Sequence, residues 1–264
     1  MGKLDGKIAM VTGAAMGNGN GGARGLAKNG AHVVLADISE KVFTAAQELV
    51  DAGYSAEAVQ FDVRNFKDAK KAVDDIVEKY GRIDILFNNA GVIRLAQFED
   101  MTDEIRDFHF DVNIKGVWNC AKAVWPYMQK QRYGKIVIMS SVTGPMVADM
   151  GETAYATTKA ANWGFTKALA FEGGPYNINV NMICPGYIHT PMAEQIAKES
   201  NPDNPQTVID GIAAAVPLKR LGTIDEIGDL VAFLASDEAS YITGTQVVID
   251  GGSTLPETFG AVGV

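Results

Sequence analysis

Two cysteines in 264 residues, Cys120 and Cys184, lie far apart with no CxxC spacing. Neither a disulfide framework nor a thiolate metal site is written into this chain, and two reduced thiols are the plain reading. Histidine is as scarce: His32, His109 and His189 are widely separated in sequence. No metal-ligand grouping is visible, so no metal is expected and His189 reads as a loop contact. No apolar run approaches the roughly 18 residues of a membrane span. Residues 1–7 carry no apolar signal core, and Gly6 stands where a myristoylation signal needs Ser or Thr. Basic residues are outnumbered, 23 Lys and Arg against 32 Asp and Glu for a net charge of −9. That balance argues against a binder of nucleic-acid backbones, whose affinity is built from Lys and Arg. The expectation is a cytoplasmic protein with neither nucleic-acid nor membrane partners.

Glycine is what the chain has in excess, 28 residues. Glycine is costly inside helices and strands, so the surplus implies tight turns or close backbone approaches. The remaining composition, 47% hydrophobic and 21% charged, is that of a globular protein. Short apolar runs at 7–12, 32–37, 58–62, 83–87, 135–139, 179–183 and 246–249 alternate with helix-period stretches at 21–29, 39–52, 66–80, 103–131, 153–173 and 225–235. The runs are apolar on both faces, as strands covered by helices on both sides must be. The pattern predicts a single-domain Rossmann-type α/β fold, a doubly wound parallel sheet of about seven strands with helices on both faces, spanning 1–264. No linker or repeat interrupts it. Gly30, Gly53, Gly81 and Gly134 fall at helix-to-strand turns, where a left-handed cap is expected. Residues 186–217 break the rhythm: this Pro-punctuated segment after the sixth strand reads as a lid over the carboxyl ends of the strands, with a decorative surface loop as the alternative.

The first strand runs into Thr12-Gly13-Ala14-Ala15-Met16-Gly17-Asn18-Gly19 and then a helix. Gly13, Gly17 and Gly19 let the backbone turn sharply, and the helix N-terminus offers free N–H groups and a positive dipole end to a pyrophosphate. A glycine-rich run alone is weak; an acidic residue ending the second strand, Asp37, makes it a dinucleotide signature. Its carboxylate would accept from ribose hydroxyls and repel a 2′-phosphate. Neither Met16 nor Ile38 is basic, so NAD is favoured over NADP.

Thr12-Gly-x-x-x-Gly-x-Gly19 resembles the cofactor fingerprint of the short-chain dehydrogenase/reductase family. Further family-like motifs follow in order across nearly the whole chain: Asn88-Asn89-Ala90-Gly91, Asn113 within 111–116, Ser140-Ser141, Tyr155-x-x-x-Lys159, Pro185-Gly186 and Asp250-Gly251-Gly252. Tyr155 and Lys159, four apart, share a helix face. A tyrosine titrates near 10, and a neighbouring ammonium would lower that, as would an oxidised nicotinamide.

The resemblance implies roles position by position. Ser141 would hydrogen-bond the substrate oxygen, Tyr155 exchange the proton, Lys159 hold the nicotinamide ribose and tune Tyr155, and Asn113 anchor a proton-relaying water. Gly13, Met16, Gly17, Asn18 and Gly19 would surround the pyrophosphate, Asp37 and Ile38 the adenosine ribose, and Asp62 and Val63 the adenine. Asn89, Ala90 and Gly91 would line the path to the nicotinamide, with Pro185, Gly186, Ile188 and Thr190 at its carboxamide. Three departures stand out. Asn18 replaces a usual aliphatic residue, Asn179 replaces a frequent arginine, and the spacing from Ser141 to Tyr155 is one residue longer than common. That spacing leaves Ser140 as the alternative serine.

Substrate contacts would come from Arg94, Thr143, Met146, Asp149, Glu152, Tyr187 and Met192. Arg94 would clamp an anionic group, or else pair with Glu99 or Asp100 in solvent. Asp149 and Glu152 would bind hydroxyls, unless Glu152 only stabilises a helix start. Two functions are weighed: an NAD-dependent alcohol dehydrogenase or ketone reductase acting on a small-molecule substrate, and a catalytically silent NAD(H)-binding sensor. Damage at Ser141, Tyr155 or Lys159 would favour the sensor, and all three are intact. The resemblance further implies a homotetramer built on the long helices and the last strand. Trp118, Trp125 and Trp163 then read as interface anchors or core, and the tail 252–264 as packing on a neighbouring subunit.

Overall fold

The computed structural model describes residues 2–256. Seven strands form one sheet: β1 (Ile8–Thr12), β2 (His32–Asp37), β3 (Ala56–Gln60), β4 (Ile85–Asn88), β5 (Gly134–Met139), β6 (Ile178–Pro185) and β7 (Gln246–Ile249). All pairs are parallel, in the order β3-β2-β1-β4-β5-β6-β7. The strand order turns back between β1 and β4, and in sheets of this kind ligands bind at the carboxyl ends beside that reversal.

Alternation along the strands divides the core. Ala9, Val11, Val33, Leu35 and Phe87 pack on one face against α1 (Gly17–Lys28), α2 (Lys41–Asp51) and α9 (Ile224–Leu234). Met10, Val34, Leu86, Ile136 and Ile138 face α3 (Phe66–Tyr80) and α5 (Val117–Gln131) on the other. β4, β5 and β6 are buried along their whole length, whereas β3 at the edge is only partly covered. Strands buried on both sides need two apolar faces, which is why their runs are continuous rather than alternating.

Three expectations need correction. The stretch 103–131 is not one regular helix: α4 (Asp103–Phe110) passes through a π-helical turn at Asp111–Gly116 before α5 begins. The segment after β6 is largely helical, as α7 (Pro191–Ser200) and α8 (Pro205–Ala215). Pro191 and Pro205 occupy first helical positions, where the missing N–H costs nothing, so these prolines start helices instead of breaking them. Gly134 has no left-handed backbone: it opens β5, Arg132 makes the left-handed turn at φ 51°, and a Cβ at Gly134 would meet Met128 Sδ at 2.5 Å. Of the tryptophans, Trp125 packs on the core and Trp163 on a smaller apolar cluster, while Trp118 is exposed. Of the expected tail contact, residues 257–264 lie outside the described residues.

Part of the glycine surplus serves a helix crossing. A Cβ on Gly25 of α1 would lie 2.3 Å from the Gly228 carbonyl oxygen of α9, and one on Gly228 2.3 Å from the Gly21 oxygen. The two helices touch backbone to backbone, which seats α9 against the helix that carries the Gly-rich turn.

Gly25→Ala must therefore push α9 off α1 and is expected to destabilise by about 1–3 kcal/mol, the usual cost of overpacking. Gly164→Ala, in α6 (Thr153–Gly173) with no atom within 4 Å of the new Cβ, is expected to be neutral or to stabilise by about 0.4–1 kcal/mol. Urea melts of the two variants side by side check this; equal midpoints would show that the crossing tolerates side chains.

Candidate active site

A cleft of about 480 Å³ opens at the carboxyl ends of the strands. Its first wall is the turn after β1. Thr12 Oγ1 accepts from the backbone N–H of Asn89 (3.0 Å) and Ala90 (3.1 Å), and Asn89 Nδ2 donates to the carbonyls of Thr12 (3.0 Å) and Gly13 (3.1 Å). This clasp leaves no room for a side chain: a Cβ on Gly13 would sit 2.8 Å from Ala90 Cα, and one on Gly19 2.0 Å from the Gly13 oxygen. Gly17 takes the left-handed φ of +58°, and a Cβ there would meet only the Thr190 side chain at 3.8 Å, an ordinary contact. The result is a bare backbone cradle at the start of α1, which fits a dinucleotide pyrophosphate. Asn18 lines the cleft, and its Oδ1 is buried without a hydrogen-bond partner.

At the adenosine end, Asp37 Oδ2 accepts from Ala15 N (3.0 Å) and Oδ1 from Ser39 N (2.9 Å). The carboxylate is thereby fixed facing the cleft, with lone pairs left for ribose hydroxyls. Met16, Ile38, Asp62 and Val63 line the same end. So does Arg64, a cation that motif reading missed. Its guanidinium grips Asp62 through Nε (3.0 and 2.8 Å) and Nη2 (2.5 Å), and this pair holds the Asp62 carboxyl below its ordinary range. The only signal in sequence is its place two residues after Asp62. Phe61, Phe108, Val112, Met139 and Ile196 also line the cleft without having been expected.

The opposite wall brings Ser141, Tyr155 and Lys159 together. The two serines separate clearly. Ser140 is buried and its Oγ donates to the Lys159 carbonyl at 2.9 Å, tying β5 to α6. Ser141 is half-buried, and its Oγ accepts from Thr143 N at 3.1 Å, leaving its proton free to donate. The structure thus gives Ser140 a bracing part and Ser141 the open hydroxyl.

Lys159 is buried, with Nζ donating to the Met139 carbonyl (3.1 Å) and 5.5 Å from the Tyr155 ring centre. Burial pulls its ammonium down to about 8. Tyr155 departs from expectation. Burial pushes its phenol up to about 12, with Glu152 adding to the rise and the Ser141 hydroxyl opposing it. Desolvation of the phenolate outweighs the Ser141 hydrogen bond, and Lys159, itself desolvated, does not offset it.

Asn113 sits in the π-helical turn, a feature that recurs at functional sites. Its Oδ1 accepts from Val92 N (2.8 Å), and its Nδ2 donates to the Val92 carbonyl (3.0 Å) and Thr158 Oγ1 (3.0 Å). Both amide hydrogens are engaged, so the side chain pins the loop after β4 to α6, and a water could approach only the remaining Oδ1 lone pair.

Ala90 and Gly91 line the cleft, as do Pro185, Gly186, Tyr187, Ile188, Thr190 and Met192. The space beside Gly186 is filled by Asp250: a Cβ on Gly186 would lie 2.8 Å from the Asp250 Cβ, so this glycine serves packing at the end of β7. Thr190 Oγ1 caps α7 by accepting from Ala193 N (3.2 Å). Arg94, Thr143 and Glu152 do not line the cleft. The Arg94 guanidinium lies over the Phe108 ring, 4.2 Å from its centre, instead of pairing with Glu99 or Asp100. Cys184 is buried beside Lys159, and burial raises its thiol to about 11. Among the described residues no group of three or more potential ligands gathers for a metal, and no helix is long and apolar enough to cross a membrane.

Comparison with known proteins agrees with this fold. Residues 13–254 match the family model described as enoyl-(acyl carrier protein) reductase. The chain is 58% identical over 264 residues to Oxidoreductase UcpA of Salmonella typhimurium, covering all of both chains. It is 40% identical over 254 residues to the 3-oxoacyl-[acyl-carrier-protein] reductase FabG of Thermotoga maritima, 96% of this chain and 100% of that one. Among solved structures, levodione reductase superposes with a TM-score of 0.90 at 33% identity, covering 96% of this chain and 99% of that one.

The buried lysine makes a stability prediction. A lysine whose folded value lies near 8, below its unfolded 10.5, is uncharged in the folded state at pH values where the unfolded chain is still protonated. The unfolded state binds more protons there, so stability rises with pH from about 8 to about 10.5. The stability of the wild type relative to Lys159→Met is expected to increase by on the order of 2–3 kcal/mol across that window and to stay level below it. Urea melts of both proteins over the pH series measure it; a difference independent of pH would show that Lys159 is not desolvated.

Proposed function

The chain belongs to the short-chain dehydrogenase/reductase family, and on that premise we propose that it is an NAD-dependent alcohol dehydrogenase or ketone reductase acting on a secondary alcohol or its ketone. Membership makes it an oxidoreductase that works with a nicotinamide cofactor. The observation that supports the finer reading is the convergence of Ser141, Tyr155 and Lys159 on one wall of a cleft whose other end is a bare backbone cradle with Asp37 beside it.

The nicotinamide supplies or accepts the hydride; the chain supplies position and protons. Gly13, Gly17, Asn18 and Gly19 would hold the pyrophosphate, Asp37 the adenosine ribose, and Asp62 and Val63 the adenine. Ile188 and Thr190 would meet the carboxamide, and Lys159 the nicotinamide ribose. NAD is preferred because Met16 and Ile38 carry no charge and Arg64 is already committed to Asp62. A 2′-phosphate would meet Asp37 with no free cation.

In the reducing direction, Ser141 Oγ donates to the substrate carbonyl oxygen and Tyr155 delivers the proton as charge develops there. A phenol pushed up to about 12 stays protonated at neutral pH and is ready to act as the acid. In the oxidising direction the same phenol must lose its proton first, which the positive charge of an oxidised nicotinamide and the Lys159 ammonium both favour. The helices α7 and α8 act as the lid, with Met192, Ala193 and Ile196 turned to the cleft. The exposed Trp118 and Phe171 on α5 and α6 suit the homotetramer that the resemblance implies, in the cytoplasm. A silent sensor is the less favoured reading, since the reactive set is complete.

Tyr155→Phe is expected to lower kcat/KM by about 10²–10⁴-fold, the usual worth of a general acid–base group, while NADH still binds by fluorescence titration. Asp37→Ala is expected to narrow the preference for NAD over NADP, read as the ratio of the two dissociation constants. NADH formation with a panel of polyols, hydroxy acids, sulfonates and steroids gives the first readout. Silence of the wild type across the panel would return the sensor reading.

A further inference from the structure

Polar side chains at the reactive end of the cleft are few, and most are engaged. Ser140 Oγ donates to the Lys159 carbonyl (2.9 Å), Lys159 Nζ to the Met139 carbonyl (3.1 Å), and Thr190 Oγ1 caps α7 through Ala193 N (3.2 Å). Asn89 is tied into the turn after β1, and Asn18 belongs to the cradle at the start of α1. Ser141 and Tyr155 are the pair that meets the reacting oxygen under the proposed function. Among the described residues lining this end, that leaves the Tyr187 hydroxyl as the further polar side-chain group. Arg94 lies on Phe108 and outside the lining.

Backbone bonds set apolar residues beside that pair. Ser140 N donates to the Ile183 carbonyl (2.9 Å) and Val142 N to the Pro185 carbonyl (3.0 Å). The loop carrying Ser141 therefore runs along the end of β6, and Tyr187 follows directly. Asn113 holds both backbone groups of Val92 (2.8 and 3.0 Å), and a Cβ on Gly91 would lie 3.3 Å from Lys159 Nζ, so Val92 adjoins the reactive wall. The lid supplies the remaining side, and α7 is two-faced. Met192, Ala193 and Ile196 line the cleft, whereas Glu194 turns to His189 (3.4 Å) and Gln195 to Glu199 (2.9 Å). Three- and four-residue spacing gives those lining positions one helix face. Tyr187 and Met192 are 48% and 49% exposed, which leaves apolar surface for a bound molecule to cover, as the lining of small-molecule sites does.

We propose that the substrate is a secondary alcohol, or its ketone, whose body beyond the reacting carbon is apolar, an alkyl chain or alicyclic ring held among Val92, Tyr187 and the inner face of α7, and not a polyol, sugar, hydroxy acid or sulfonate. A hydroxyl or carboxylate placed there gives up its water and gains at most the Tyr187 hydroxyl in exchange, and a polar group desolvated without a partner is costly. An apolar body gains from the same burial. This assignment rests on the proposed function for its reaction class and adds to it the chemistry of what is bound.

The test follows NADH formation at saturating NAD with 2-butanol, 2-pentanol, 2-hexanol and 2-heptanol, whose reacting carbons are electronically alike. The value of kcat/KM is expected to rise about two- to fourfold per added CH2, the worth of burying a methylene. 1,4-Pentanediol has the shape of 2-hexanol with the terminal methyl replaced by a hydroxyl, and it is expected to be at least about tenfold poorer. Met192→Ser and Ile196→Ser are each expected to flatten the chain-length series, whereas a merely structural defect would lower every member alike. A flat series in the wild type, a diol that matches 2-hexanol, or a slope that neither variant moves overturns the assignment and leaves the reaction class standing. Silence of the wild type with every alcohol and with the matching ketones overturns the reaction class and this assignment with it. Because the wild-type series and the diol comparison need no variant, a poorly folding variant does not remove the test.

Discussion

Between β1 and β4 the sheet reverses its winding, and the strand ends there are joined by Thr12 and Asn89 rather than by a continued ladder. One hydroxyl takes two backbone N–H groups, and one amide gives to two carbonyls. The phosphate-side turn depends on this clasp, because its glycines pack against the same atoms. The catalytic side depends on it at one remove. Asn88, next in the chain, ties β4 to the start of α5 through the Val117 carbonyl (2.7 Å). Asn113 ties the following loop to Thr158 of α6, and Ser140 ties α6 back to β5. Cofactor cradle and reactive wall are thus registered by buried polar bonds, whose geometry is more exacting than apolar contact.

The same burial that fixes the wall sets its protonation. Desolvation moves Tyr155 up and Lys159 down, so burial favours the uncharged form of both groups. Under the proposed function, such a pair would be a poor base until a further positive charge, that of an oxidised nicotinamide, lay beside it. On that reading, proton abstraction would be coupled to the binding of the oxidised cofactor.

The fold was legible because its cause is local: strands covered on both faces must be apolar throughout, and each turn carries its own chemistry. The residues of the candidate site could be picked out because their spacing is local, and the structure brings Ser141, Tyr155 and Lys159 together on one wall of the cleft. What stayed hidden depends on non-local pairing. Arg94 read either as an anion clamp or as a partner of Glu99 or Asp100 until Phe108, fourteen residues on, took its guanidinium. Arg64 looked unremarkable until it turned back onto Asp62. The π-helical turn at 111–116 was not legible, because an inserted residue rotates the apolar stripe by roughly a quarter turn over too few residues to be told from ordinary irregularity. The Tyr155 shift could not be foreseen either, since the proximity of Lys159 was readable and the depth of burial was not.

The glycines and the net charge of −9 have a common consequence. A dinucleotide is anionic, yet the cleft offers it Asp37, Asp62 and two cations already engaged. Affinity for the pyrophosphate must then come from backbone N–H groups and the dipole of α1, and these are reachable only where no Cβ intervenes. A cleft that bound its cofactor with lysines would spread that positive field along its whole length. Holding the anion with backbone instead would keep the attraction local to the turn after β1.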